Sequence, residues 1–285
     1  MNWFILTLIY VFFLTTASVI NKKSLNAEKL DEIVFGASVQ VATSIVSLLL
    51  ALATGWAFTF NAASIPLFVG MGVVYFFAVS MYFTGLSKIE LSTVTILEAT
   101  GAIYSLLLGI FLLGESFTAM KLLGIALIIA AVLIVSLSKE KKSFSKYSLI
   151  ILAAIFFYAL GAVLDKQLNA FGNPLSYLTL SFATAGISML LIYFKRTRAA
   201  LNGTFKLKVF WQGIITNGIL YSLGFWSLFE AYNRGGEVSR MFPITLSMSV
   251  LIPLMGILFL KERNYLPRKI IAIVVMIAGL WILGN

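Results

Sequence analysis

The stretch IVFGASVQVATSIVSLLLALA, from Ile33 to Ala53, contains no charged side chain and no proline. An α-helix rises ~1.5 Å per residue, so ~20 apolar residues cross a hydrocarbon core ~30 Å thick. The stretch therefore reads as one membrane-spanning helix. Runs of the same kind fill most of the chain around it: 3–20, 65–86, 93–113, 118–137, 147–164, 175–194, 209–231, 238–260 and 267–283. They are too long for the strands of an outer-membrane barrel and lack its alternation. The expected fold class is an all-α membrane protein with ten transmembrane helices.

Composition agrees. Of 285 residues, 60% are hydrophobic and 11% charged, whereas a soluble domain carries about 25% charged residues. The net charge of +10 comes from Lys and Arg in short loops, not from one amphipathic face. That distribution fits lipid head groups and topology control and argues against a nucleic-acid partner. The chain has no Cys and no His, which excludes disulfides, Cys/His zinc sites and thiol or imidazole catalysis. Neither a phosphate loop nor a nucleophile elbow is present. The sequence thus predicts no enzyme, no cofactor and no metal site, and any proton-coupled step must use carboxylates. The first run has no positive segment before it and is expected to be a retained helix, not a signal peptide.

The two halves of the chain repeat each other. Val19-Ile20-Asn21-Lys22 matches Val163-Leu164-Asp165-Lys166, each after a phenylalanine pair, Phe12-Phe13 and Phe156-Phe157. Glu90-Leu91-Ser92 matches Glu237-Val238-Ser239, and Gly109 through Glu115 matches Gly256 through Glu262. The matches keep their order and spacing, which places a first five-helix repeat at 1–142 and a second at 143–285. Five is odd, so the second copy must enter the membrane the other way up. Inverted repeats are the architecture by which a transporter rocks around a central site.

These residues also carry a family resemblance. Glu90-Leu91-Ser92-Thr93-Val94, an apolar helix ending Leu112-Leu113-Gly114-Glu115, and Leu123-Gly124-Ile125-Ala126-Leu127-Ile128 resemble the EamA-type members of the drug/metabolite transporter superfamily. The second copy, ending Phe259-Leu260-Lys261-Glu262-Arg263, is similar. The resemblance covers the whole chain and implies ten helices and transport of a small metabolite, from a substrate range of amino acids, cationic compounds, sugars and nucleotides. One departure is visible: the proline usual early in the helix before the Gly-Glu end is missing from the first copy, where Glu98 lies nearby, while the second keeps Pro243.

Charge sets an orientation. Loops after the odd-numbered spans hold 17 of the 21 Lys and Arg residues; the others hold only Lys121, Lys166, Arg234 and Arg240. Positive charge concentrates in cytoplasmic loops. The expectation is a multi-pass protein of the cytoplasmic membrane with both termini outside, opposite to what the family resemblance implies.

Few side chains in the spans can carry chemistry. Glu98 is the sharpest, because a carboxylate in hydrocarbon costs several kcal/mol unless paired, protonated or hydrated. Thr95, Gly101, Ala102, Ser105 and Gly109 share its helical face, which should look into the bundle. It is read as a proton site or a counter-ion for a cation, against the alternative of an interhelical hydrogen bond. Tyr75 and Tyr82 on the third span, and Asn217, Tyr221 and Trp226 on the eighth, would make an aromatic wall suited to an amine through cation–π attraction. Gln40 lies on a polar stripe with Thr43, Ser44 and Ser47 that either lines the path or glues helices. Ser181, Thr184 and Ser188 form a similar stripe. Glu230 and Arg240 are expected to pair with each other, or with Arg234 and Glu237; the sharper alternative gives Arg240 an anionic substrate. Glu115 and Glu262 are read as structural.

The function expected is secondary active transport of a small organic metabolite, with protons as candidate coupling ion and a cationic or amphipathic solute as candidate cargo. The alternatives are exchange of an anionic or sugar-type metabolite and a non-transporting, lipid-handling role. A monomer and a homodimer are both compatible with the sequence.

Overall fold

The computed structural model describes residues 1–27, 30–86, 91–136, 145–201, 203–251 and 266–285. In the first half, α1 is Trp3–Ala27, α2 Glu32–Thr54, α3 Ser64–Leu86, α4 Leu91–Glu98, α5 Gly101–Leu113 and α6 Ala119–Ser136. In the second, α7 is Lys146–Asn169, α8 Pro174–Ile192, α9 Phe194–Ala200, α10 Lys208–Asn233, α11 Val238–Thr245 and α12 Leu266–Gly284. Among the described residues, six helical segments are long and apolar enough to cross a membrane by length and composition. Glu90, Pro253 and the segment Phe259 to Arg263 lie outside the described residues.

Local chemistry sets the helix ends. Asp31 Oδ1 accepts from the backbone N–H groups of Ile33 and Val34, both at 3.1 Å, and so caps α2. Asn173 does the same for α8, accepting from Ser176 N at 2.8 Å, with Pro174 in the first turn. At the end of α5 the backbone turns left-handed at Gly114, φ 66°. There the Glu115 N–H bonds back to Gly109 O at 3.1 Å. A glycine is needed at that φ, which gives the Gly-Glu helix end a physical cause: it stops the helix and turns Glu115 out of its axis.

Ten spans in two inverted five-helix repeats account for these elements. The pieces α4 and α5 make one broken span, α11 begins the ninth span, and α9 with a 3-10 turn at Thr204–Lys206 lies in the stretch expected to be loop. The pairing obeys the pseudo-symmetry. The most extensive contacts are α1 with α10, its mirror α3 with α7, and the self-related pairs α2 with α8 and α6 with α12. All four join one repeat to the other, so the halves share one core and neither closes alone.

Two expectations for the spans change. Span four is not continuous: α4 ends at Glu98 and α5 starts at Gly101, with i→i+3 bonds such as Thr100 N to Leu97 O, 2.9 Å. The ninth span breaks at the matching place, Leu246 and Ser247, with the same bond pattern. Pro243 stands before the second break and Ile96 before the first, so the break does not depend on the proline. Span six also runs further than the stretch 147–164. Helix α7 continues through Asp165 and Lys166 to Asn169, because Lys166 finds a carboxylate and the helix end needs no water at that point.

Candidate functional site

Glu98 is the last residue of α4, at the break, and its Oε1 accepts from the Tyr82 hydroxyl of α3 at 2.7 Å. The Tyr158 ring of α7 stands against Tyr82 with centroids 5.9 Å apart, and against Tyr75 at 6.3 Å. Tyr75 donates in turn to Asp165 Oδ2 at 2.6 Å, and Tyr177 of α8 donates to Asp165 Oδ1 at 2.5 Å. A ladder of tyrosines therefore joins two carboxylates, one from each repeat. Tyr75 reaches its partner because α7 carries Gly161 against it; a Cβ there would lie 2.9 Å from the ring. Among the described residues neither carboxylate has a basic partner.

Asp165 is the main functional candidate that the sequence expectations left out. Its signal was present: an acidic side chain in the duplicated Asn21 and Asp165 motif. Reading the charge pair as a span end hid it, since the helix keeps Asp165 only 5% exposed. Tyr158 and Tyr177 escaped for a different reason, because single aromatics in apolar helices are common as packing.

The other expected residues divide. Tyr75, Tyr82 and Tyr221 join the tyrosine-rich core, where Asn21 Nδ2 of α1 donates to Tyr221 Oη at 3.4 Å. Asn217 is fully buried one turn before Tyr221; its Nδ2 donates to Gly213 O at 2.7 Å and its Oδ1 has no partner. Ser105 shares Glu98's region, but its hydroxyl turns back to Ala102 O at 3.0 Å. Gly101 faces Phe242 and Ile155, so this small-residue face packs on α11 and α7. Gln40 Nε2 points to Met189 Sδ of α8 at 3.3 Å. The stripe beside it glues helices: Ser44 Oγ donates to Thr179 O at 2.9 Å, and Thr179 Oγ1 to Ser47 Oγ at 3.1 Å. Trp226 is not part of the wall. It is 39% exposed, in line with exposed Ile215, Ile219 and Leu223 on the outer surface of α10.

The charged residues at the face bearing both termini pair as a structural reading expects. Arg240 Nε lies 3.0 Å from Glu237 Oε2, an ion pair by distance without hydrogen-bond alignment. Arg234 Nε and Glu230 Oε1 are 2.9 Å apart. Lys121, with its side chain fully buried, meets Glu237 Oε2 and Ser239 Oγ, each at 3.0 Å, and Ser116 O at 2.5 Å. Glu115 binds Lys166 Nζ at 3.0 Å and the Val238 N–H, Ser239 N–H and Ser239 hydroxyl at 2.7, 2.9 and 2.5 Å. It therefore caps α11 of the other repeat, not the helix that follows it. Burial works against its charge. The Ser239 hydroxyl and N–H and the Lys166 ammonium outweigh that and hold the Glu115 carboxyl below its ordinary value.

The same face is strapped by chain. Asn173 N donates to Ala57 O at 2.8 Å and Thr59 N to Phe171 O at 2.9 Å, and the Phe58 ring stacks over Tyr177 at 6.3 Å. Two cavities lie apart from the tyrosine ladder, the first of them at this same face. One of about 220 Å³ is lined by Trp3, Gly235, Glu237 and Arg240. One of about 440 Å³ between α1, the ninth span past its break, and α12 is apolar except for Thr15 and Ser247.

The model of the EamA-like transporter family matches twice, over residues 1–137 and 145–285. A solved crystal structure superposes with a TM-score of 0.78 at 14% identity, covering 98% of this chain and 95% of that one. At that identity the likeness is one of fold. No curated protein matches the sequence.

Proposed function

Because the chain belongs to the EamA-like transporter family, a family of membrane transporters, we propose that it moves a small cationic or amphipathic organic solute down or against an ion gradient. Glu98 is the residue on which the solute or a proton binds. The observation that carries this reading is the half-buried Glu98 carboxylate at a helix break, held by a tyrosine hydroxyl and with no basic partner among the described residues. Broken helices in transporters free backbone groups beside the substrate site. An acid inside a membrane bundle is a functional group by default. Tyr82, Tyr158 and Tyr221 add ring faces that attract an organic cation.

Purified protein in liposomes, screened for cationic metabolites under a pH gradient, tests this. Glu98→Gln removes gradient-driven uptake while leaving the protein folded. Uptake equal to the unaltered protein rejects the role. Anion exchange through Arg240 is the weaker reading, since that guanidinium lies beside Glu237 at the face bearing both termini and not at a helix break.

The concentration of Lys and Arg in the loops opposite the termini supports both termini facing outward in the cytoplasmic membrane. Epitope tags on each terminus, probed from outside intact cells, decide this; protected tags overturn it.

A further inference from the structure

We propose that Asp165 is a proton site distinct from Glu98, and that its proton releases a clamp between the two repeats. The inference rests on reading the chain as a gradient-driven transporter, and it assigns the proton to a different residue from Glu98.

Four observations carry it. The Asp165 carboxylate is held by Tyr75 from the first repeat and Tyr177 from the second, one phenol on each oxygen. At 2.6 and 2.5 Å, these contacts leave no space for a metal or organic cation between carboxylate and phenols; a proton needs none. The adjacent cation is committed elsewhere, since Lys166 lies 3.0 Å from Glu115. Finally, the first repeat carries Asn21 at the same place, against Tyr221, which matches Tyr75. A neutral amide thus satisfies the fold at this position, so the negative charge at Asp165 is not there for packing.

Among the described residues, no ion pair balances it. On the packed helices, Tyr10 of α1 and Tyr232 of α10 lie close enough to feel Asp165 electrostatically. Glu98 of α4 stands beyond Tyr158, and Arg240 of α11 is tied to Glu237. Hydrogen bonds to an ionised carboxylate are about twice as strong as neutral ones. In the ionised form both phenols donate to Asp165, tying α3 and α8 to α7. A proton on one oxygen makes that oxygen a donor, so its phenol must turn and accept, and the remaining bonds are neutral. The tie between repeats weakens when the proton arrives and tightens when it leaves. The Phe58 strap lies directly over Tyr177, so the loosened clamp opens the face bearing both termini.

The chain has no natural cysteine, so a single reporter suffices. Ala162→Cys places a thiol on α7, one turn before Asp165, at a position 9% exposed. The reporter protein is placed in lipid nanodiscs and labelled with a membrane-impermeant maleimide. A model thiol run in parallel corrects for the pH dependence of the reaction itself. Corrected labelling is expected to rise severalfold on acidification. With Asp165→Asn it is expected to be fast and flat with pH, because the neutral amide mimics the loaded state. With Tyr75→Phe it is expected to be faster at alkaline pH and still pH-dependent. Corrected labelling that does not respond to acid, or Asp165→Asn that keeps the full response, overturns the proposal. Should Asp165→Asn fail to fold, unchanged labelling in Tyr75→Phe overturns it instead. Loss of the pH response in Glu98→Gln but not in Asp165→Asn assigns the proton to Glu98: the proposal then fails and the reading of Glu98 stands.

Discussion

The two repeats can be compared residue against residue. Asn21 meets Tyr221 across α1 and α10 at 3.4 Å; Asp165 meets Tyr75 across α7 and α3 at 2.6 Å. The helix pairs are equivalent and the side chains are not. Glu98 likewise has no acidic counterpart, since the matching residue before the second break is Thr245. Other polar positions keep their character in both copies. Glu115 corresponds to Glu262, Lys166 to Lys22, Lys121 to Arg268 and Glu237 to Glu90. Where they are described, as Glu115, Lys121, Lys166 and Glu237 are, the retained residues serve helix ends, whose unpaired N–H groups and turns need partners. What the copies do not share is the pair of acids within the spans. On the proposed reading, the retained residues belong to the fold and the unshared acids within the spans to transport.

The largest expected effect falls on the retained class. Glu115→Ala leaves Lys166 without its anion and the Val238 and Ser239 N–H groups without their acceptor. Breaking a buried ion pair costs about 3–5 kcal/mol. Here Lys166 is a quarter exposed, so about 2–3 kcal/mol is expected. Thermal unfolding in detergent should show a large drop in midpoint. If retained residues are structural in both copies, Glu262→Ala should produce a drop of similar size; a neutral Glu262→Ala breaks the equivalence.

Next come the exchanges that make the copies alike. Asp165→Asn should leave stability within about 1 kcal/mol, since an amide can accept from one phenol and donate to the other. Asn21→Asp should destabilise by about 1–3 kcal/mol, because it buries a charge that has one distant phenol near it. Unfolding midpoints of the two variants measure the asymmetry directly. A larger loss for Asp165→Asn than for Asn21→Asp would return Asp165 to the structural class.

Much of the frame was legible in the sequence and the site was legible only in part. Hydropathy gives spans because a helix of ~20 apolar residues has few other stable places to go. The family's Gly-Glu end is visible as letters, and the left-handed turn at Gly114 explains it. Glu98 stands out because it is isolated in an apolar run. Asp165 did not, because a charge pair at the edge of a run looks like a boundary, and hydropathy cannot tell that Lys166 turns to Glu115 while Asp165 turns inward. The break at Ala99 and Thr100 was also hidden: without a proline, nothing local marks it. The tyrosine ladder draws on α3, α4, α7 and α8, and only the packing of one repeat on the other brings those positions together.

Acid sharpens the comparison at smaller cost. The Glu115 carboxyl titrates below its ordinary value in the folded protein. A group of this kind stabilises the fold at pH above its unfolded value, about 4.3 for a glutamate. The stabilisation is lost as pH falls through the folded value. The unfolding midpoint of the unaltered protein should therefore fall below about pH 4, and Glu115→Gln should show a lower midpoint at neutral pH with a shallower fall. Parallel curves for the two proteins would remove Glu115 from the account of acid stability.

The smallest expected effect tests whether difference between the copies is enough to mark function. Glu230 and Arg234 form an ion pair at 2.9 Å, and in the register that matches Tyr221 to Tyr75 the first copy has Thr84 and Lys88, so the acid is not shared. By the bare rule that unshared polar residues serve transport, Glu230 would qualify. Physics says otherwise. Arg234 is 51% exposed, the residues are one helical turn apart at the end of α10, and both heads reach the aqueous face. Exposed pairs of this kind contribute about 0–0.5 kcal/mol. Glu230→Gln should shift unfolding by no more than that and leave uptake in liposomes unchanged. If uptake instead falls as it does for Glu98→Gln, position at the rim matters as much as burial, and the division between fold and transport has to be redrawn around that face of the molecule.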